Sequence, residues 1–148
     1  MKGAVSATGA LVFGWVQSSI VNAGKAALAV YISNAGSIST DTLETGNTYL
    51  SGWKVGLHGA SNVIVTWSDN NQQVRLSRRG ASSWAVPLVA GAGSPDTDAH
   101  LSLAVGSDGS TAVVWRGTDP SIRTAVYDAS GTQISSSLLH IGSIDNTA

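Results

Sequence analysis

The chain contains no cysteine in its 148 residues. That excludes disulfides and thiolate metal sites as what holds the fold, and it leaves the redox compartment open. Charge is scarce as well. Only 11% of residues are charged, with 8 basic against 9 acidic, for a net charge of −1. With no cluster of Lys and Arg, the chain lacks the electrostatic footprint of a nucleic-acid or anionic-membrane binder. No stretch approaches the ~20 consecutive apolar residues of a helical membrane span. The first residues, Met1 to Ser6, carry one positive charge but no apolar run, so they do not read as a signal peptide.

Signatures of catalysis are missing too. There is no Gly-rich phosphate loop, no Gly-x-Ser-x-Gly elbow and no His-Glu-x-x-His. Glu44 is the sole glutamate, and no pair of aspartates is marked by context as the two facing carboxyls of a glycosidase. His58, His100 and His140 are scattered, without an evident nucleophile. Asp96, Asp98 and His100 alternate and could face one way, but Pro95-Asp96 reads as a turn. Ser68 to Asn71 and Ser107 to Gly109 likewise read as turns before they read as calcium loops. The expectation is a protein that is not an enzyme, with no cofactor and no metal centre.

What the sequence does have is small residues and a repeat. Glycine occurs 17 times, and Ser, Thr, Asn and Ala fill much of the rest. This composition suits a sheet protein with tight turns and favours an extracellular or surface location. Three segments run from a small turn residue through an apolar stretch to tryptophan: Gly9 to Trp15, Ser61 to Trp67, and Gly109 to Trp115. Trp15 to Trp67 is 52 residues and Trp67 to Trp115 is 48. After each tryptophan come a polar loop, a second apolar stretch (Ala27–Tyr31, Val74–Arg78, Ile122–Tyr127) and a glycine at Gly36, Gly80 or Gly131. The segment Gly93 to Ala99 resembles Gly142 to Ala148, as if the chain held a whole number of units. Internal periodicity of this length marks repeat architectures.

Each unit reads as four short strands. In the third they are predicted at His100–Val105, Thr111–Trp115, Ile122–Tyr127 and Gln133–Ile141. On the second strand of a unit, Leu11, Phe13 and Trp15 share one face, as do Val63, Val65 and Trp67. The opposite faces, with Val12 and Ile64, are also apolar or small, which predicts cover on both sides. Four-stranded sheets stacked face to face meet that demand, and radial stacking is the β-propeller solution. The string Leu101 to Trp115, with its Asp108-Gly109 turn, then Tyr127-Asp128 to Gly131, and the earlier Trp84 to Pro87 element, resembles bacterial β-propeller repeats. The resemblance implies an all-β chain of three blades, about 1–46, 47–93 and 94–148. A β-sandwich of some twelve strands and a β-solenoid are the other architectures considered. Three blades fall short of the 4–8 of closed propellers. The expected partner is therefore a second copy, in a six-bladed homodimer, unless the chain is part of a longer propeller.

Arg75 and Arg123 each follow their tryptophan by eight residues, and the first unit has Ala26 and Ala27 there instead. A guanidinium beside an indole can bond vicinal hydroxyls while the ring stacks on a sugar face. The run from Trp115 through Pro120 to Arg123 is similar to fucose-binding propeller lectins. Those also carry a further Glu and a Trp-rich turn, both missing from the third unit. Trp67, Arg75, Trp115 and Arg123 are thus candidate ligand residues. Trp53 and Trp84 join them because they break the repeat, and glycans are the candidate ligand. For all the tryptophans the competing role is packing between blades; for the arginines it is a solvated edge. Function is read as non-catalytic carbohydrate binding. The alternatives are a structural or self-assembling scaffold from a larger surface or phage protein, or part of an enzyme whose site needs further blades.

Overall fold

The computed structural model describes residues 2–5, 11–18, 26–34, 37–42, 51–58, 62–68, 73–79, 84–92, 101–116 and 121–140. Twelve strands and no helix occur among them. They form three sheets of four antiparallel strands, each in simple chain order. The first sheet is β1 (Lys2–Val5), β2 (Leu11–Ser18), β3 (Ala26–Asn34) and β4 (Ser37–Thr42). The second is β5 (Ser51–His58), β6 (Asn62–Ser68), β7 (Gln73–Arg79) and β8 (Leu88–Ala92). The third is β9 (Leu101–Val105), β10 (Thr111–Arg116), β11 (Ser121–Tyr127) and β12 (Gln133–His140). The chain is therefore all-β, built of blade-like meanders.

The repeat keeps its register. Trp15 lies opposite Ala29, Trp67 opposite Arg75, and Trp115 opposite Arg123. Residues paired in this way lie on one face of an antiparallel ladder. Each sheet thus has a tryptophan face and a reverse face.

The turns of the third sheet show why its strands end where they do. Gly109 sits at φ 85° and Gly131 at φ 91°, a left-handed region that side chains with a Cβ disfavour. Asp108 Oδ1 accepts from the Ser110 amide at 2.9 Å and its hydroxyl at 2.7 Å. Asp128 Oδ1 accepts from the Thr132 amide at 2.8 Å and the Ser130 hydroxyl at 2.6 Å. Both aspartates are turn builders, as aspartate at such positions commonly is. The turn glycines Gly9, Gly36 and Gly80, and the Asp96, Asp98 and His100 group, lie outside the described residues.

The core falls between sheets. One cluster joins Val12 of the first sheet to Val63, Val65 and Trp67 on the tryptophan face of the second. Ala4, Val55, Leu57 and Trp84 pack against it. The other joins Ile64, Val74, Leu76 and Ala90, from the reverse side of the second sheet, to Leu101, Val113, Trp115, Ala125 and Tyr127 of the third. The second sheet is thus covered on both faces, and every residue from Val63 to Ser68 is buried. Neighbouring sheets come closest at their first strands, where a Cβ placed on Gly56 of β5 would stand 2.6 Å from Val105 Cγ2 of β9. In this series the tryptophan face of one sheet packs on the reverse face of the sheet before it.

The first strand pair departs from the expected two-sided cover. Val12 is buried, but Leu11 is 39% and Phe13 36% exposed. Among the described residues, no sheet packs on the tryptophan face of the first.

Candidate functional site

A cleft of about 380 Å³ opens between the outer strand of the second sheet and the third sheet. Ala90 and Gly91 of β8 form one wall; Trp115, Arg123, Thr124, Gln133, Ser136, Ser137 and Leu138 form the other. The register explains the grouping. Arg123 lies between Trp115 on β10 and Leu138 on β12, so all three share the tryptophan face.

The β8 wall owes its shape to a bulge. Val74 pairs with Gly91 and Arg75 with Val89, which leaves Ala90 as the extra residue, 5% exposed and turned into the core cluster. Gly91 then faces the indole directly. A Cβ there would stand 2.9 Å from Trp115 Cζ2, closer than real Cβ atoms come. Glycine at this position is what lets the ring seat against β8.

Trp115 is 3% exposed, and its indole Nε1 is buried with no hydrogen-bond partner. A buried donor left unpaired is costly, on the order of 1–3 kcal/mol. Arg123, Ser136 and Gln133 line the cleft from the same face as Trp115, while Thr124 and Ser137 pair with each other on the reverse face and border it through their backbone. Among the described residues, the lining includes no carboxylate and no imidazole. This wall sets hydrogen-bonding side chains beside an apolar floor.

The other sequence-selected residues are placed differently. Trp67 is wholly buried in the cluster between the first and second sheets, opposite Arg75 on its own face. The Arg75 carbonyl accepts from Thr66 Oγ1 at 2.7 Å, which satisfies a buried hydroxyl. Trp84 bridges to Arg79, packs partly buried on the same cluster, and keeps its indole Nε1 buried without a partner. Trp53 sits in β5 at a register irregularity between Ser51 and Lys54, and its side chain lies outside the described residues, as does that of Trp15. The six candidates are therefore not one constellation. Trp115 and Arg123 share the cleft, while Trp67 and Trp84 belong to the neighbouring junction.

Arg78 was not singled out from the sequence. It reaches from β7 across to the turns of the third sheet. Its Nη1 donates to the Gly109 and Ala129 carbonyls at 3.1 and 3.2 Å. Its Nη2 donates to Thr111 Oγ1 at 2.8 Å and the Asp128 carbonyl at 2.9 Å. Partial burial pulls its pKa down, with the charge of Asp128 opposing. The signal was available: in the repeat, Ile32 and Val126 occupy the positions equivalent to Arg78, so a cation stands where its counterparts are apolar. The walls supplied by Gly91 and by Ser136 and Ser137 were also missed, since they depend on how two sheets stack.

No protein-family model matches the chain, and no curated protein matches it in sequence.

Proposed function

We propose that this chain is a non-catalytic binding module made of propeller blades, which takes a carbohydrate in the cleft between the second and third sheets. In this reading the blade ring is completed by a second copy, giving six blades. One observation carries the ligand assignment: Trp115 and Arg123, an indole and a guanidinium from adjacent strands, line a single cleft with Ser136 and Gln133 on the same face. Sugars present vicinal hydroxyls on an apolar ring, and this wall offers donors in a fork beside an aromatic edge.

The test is a glycan array with the wild-type chain, followed by titration calorimetry of the best ligand on wild type and on Arg123→Ala. Hydrogen bonds to a charged group contribute about 1.5–3 kcal/mol. The substitution should therefore weaken binding roughly ten- to a hundredfold, with an unchanged circular-dichroism spectrum. An array without ligands, or a glycan bound equally well by Arg123→Ala, would sink the assignment.

A second reading is a scaffold that assembles with itself and takes no small ligand. It is favoured by the near-complete burial of Trp115 and Trp67, which leaves little ring face for stacking, and by the apolar surface at Val5, Phe13 and Val114. An empty array together with a well-defined oligomer would select it.

A further inference from the structure

We propose that the two uncovered sheet faces of one chain bind those of a second copy head to tail, the tryptophan face of one first sheet seating on the reverse face of the other third sheet. The inference rests on the ring-closure part of the reading above and is independent of its ligand.

The free face of the first sheet is apolar and exposed, and that of the third sheet sets Val114, Val126, Ala104 and Ala112 among Ser102, Thr124, Ser135 and Ser137. Val5 is 67%, Leu11 39% and Phe13 36% exposed on the first sheet, and Val114 37% on the third. Exposed apolar sheet faces of this kind mark interaction surfaces. What identifies the occupant is the way the two internal junctions are built, because the free faces complete the same series.

Consider the first strands. On the reverse face the central residue is small in every sheet: Ala4, Gly56 and Ala104, opposite Val12, Ile64 and Ala112. At the first junction Ala4, Val55 and Leu57 pack against one buried cluster. At the second, the bare Gly56 receives Leu103 and Val105, whose side chains stand 3.3 and 2.6 Å from where a Cβ would be. The free faces supply Ala104 on one side and Gly3 with Val5 on the other. Ala104 carries a methyl that Gly56 lacks, and Gly3 stands where Leu103 has a side chain, with the Phe13 ring over it, 3.0 Å from where a Cβ would be.

A second column agrees in polarity. Where Arg78 stands on the reverse face, the residue it meets is Thr111, whose Oγ1 accepts at 2.8 Å. In the first junction the equivalent register positions hold Ile32 and Val63, both apolar. On the free faces they hold Val126 and Leu11, again both apolar. Polar is matched with polar and apolar with apolar, and the free pair fits its own kind. Such contacts are heterologous, and two of them around a twofold axis close a ring.

The chain has no cysteine, so engineered thiols report the contact directly. Val5→Cys and Ala104→Cys in one chain should give a covalently linked dimer on mild oxidation, while each single variant stays unlinked. A complementary test uses Leu11→Lys and Val126→Asp. Each alone should be folded but monomeric, and an equal mixture should recover the wild-type mass through one native and one Lys–Asp contact. If a single-cysteine variant cross-links to itself, or only one of the two charge variants dissociates, each face pairs with its own copy. Head-to-tail pairing is then wrong, although self-association stands. A wild-type chain that is monomeric throughout would overturn both this inference and the ring, and would leave the cleft to its own test.

Discussion

Asp128 shows how one side chain ends a strand. Its carboxylate accepts from the Ser130 hydroxyl and the Thr132 amide, and these bonds hold its pKa below the ordinary value of 3.8. A group whose pKa is lower in the folded state contributes stability above its unfolded pKa and loses it as pH falls through the folded one. The Asp128 contribution is therefore complete at neutral pH and disappears below the ordinary carboxylate range. Asp128→Asn should be less stable than wild type at pH 7, and the gap should shrink as the pH is taken below 3.8; urea unfolding across that range checks it. Gly56 makes the opposite kind of argument, by what it lacks. A Cβ there would press on Val105, a β-branched side chain with little rotameric freedom. Gly56→Ala should cost about 1–3 kcal/mol, as overpacking does in other cores, read as a lower urea midpoint with an unchanged slope.

Between elements, Arg78 is the clearest tie, since it spans from β7 to both turns of the third sheet. It is partly solvated, so its four hydrogen bonds contribute less than buried ones would. Arg78→Met should lower stability by about 1–2 kcal/mol. It should also speed amide exchange in the Gly106–Ser110 and Asp128–Thr132 turns before it affects the first sheet. The strands themselves were legible, because alternation and turn residues are local. Those expected at Thr111–Trp115 and Ile122–Tyr127 are found at Thr111–Arg116 and Ser121–Tyr127. The pairing of Trp115 with Arg123 was legible too: an eight-residue spacing across a hairpin places two residues opposite one another. The β8 wall of the cleft was not, since it needs a bulge at Ala90 and the stacking of one sheet on another. Nor could the spacing separate Trp67 from Trp115. They hold the same repeat position, yet the first is wholly enclosed and the second borders a cleft.

At the scale of the molecule, stacking is the organising fact. Among the described residues, the second sheet is covered on both sides, and the first and third are each covered on one. The remaining apolar sides are a cost in water unless something covers them. In the proposed ring a second copy covers them, and the cleft between the second and third sheets is the proposed binding site. The solution mass by light scattering on a sizing column tests this most directly. The proposed ring should give one discrete species at twice the 15.0 kDa of the chain, unchanged over a tenfold dilution. A well-folded monomer at 15.0 kDa, with its first and third sheets protected from exchange, would contradict it.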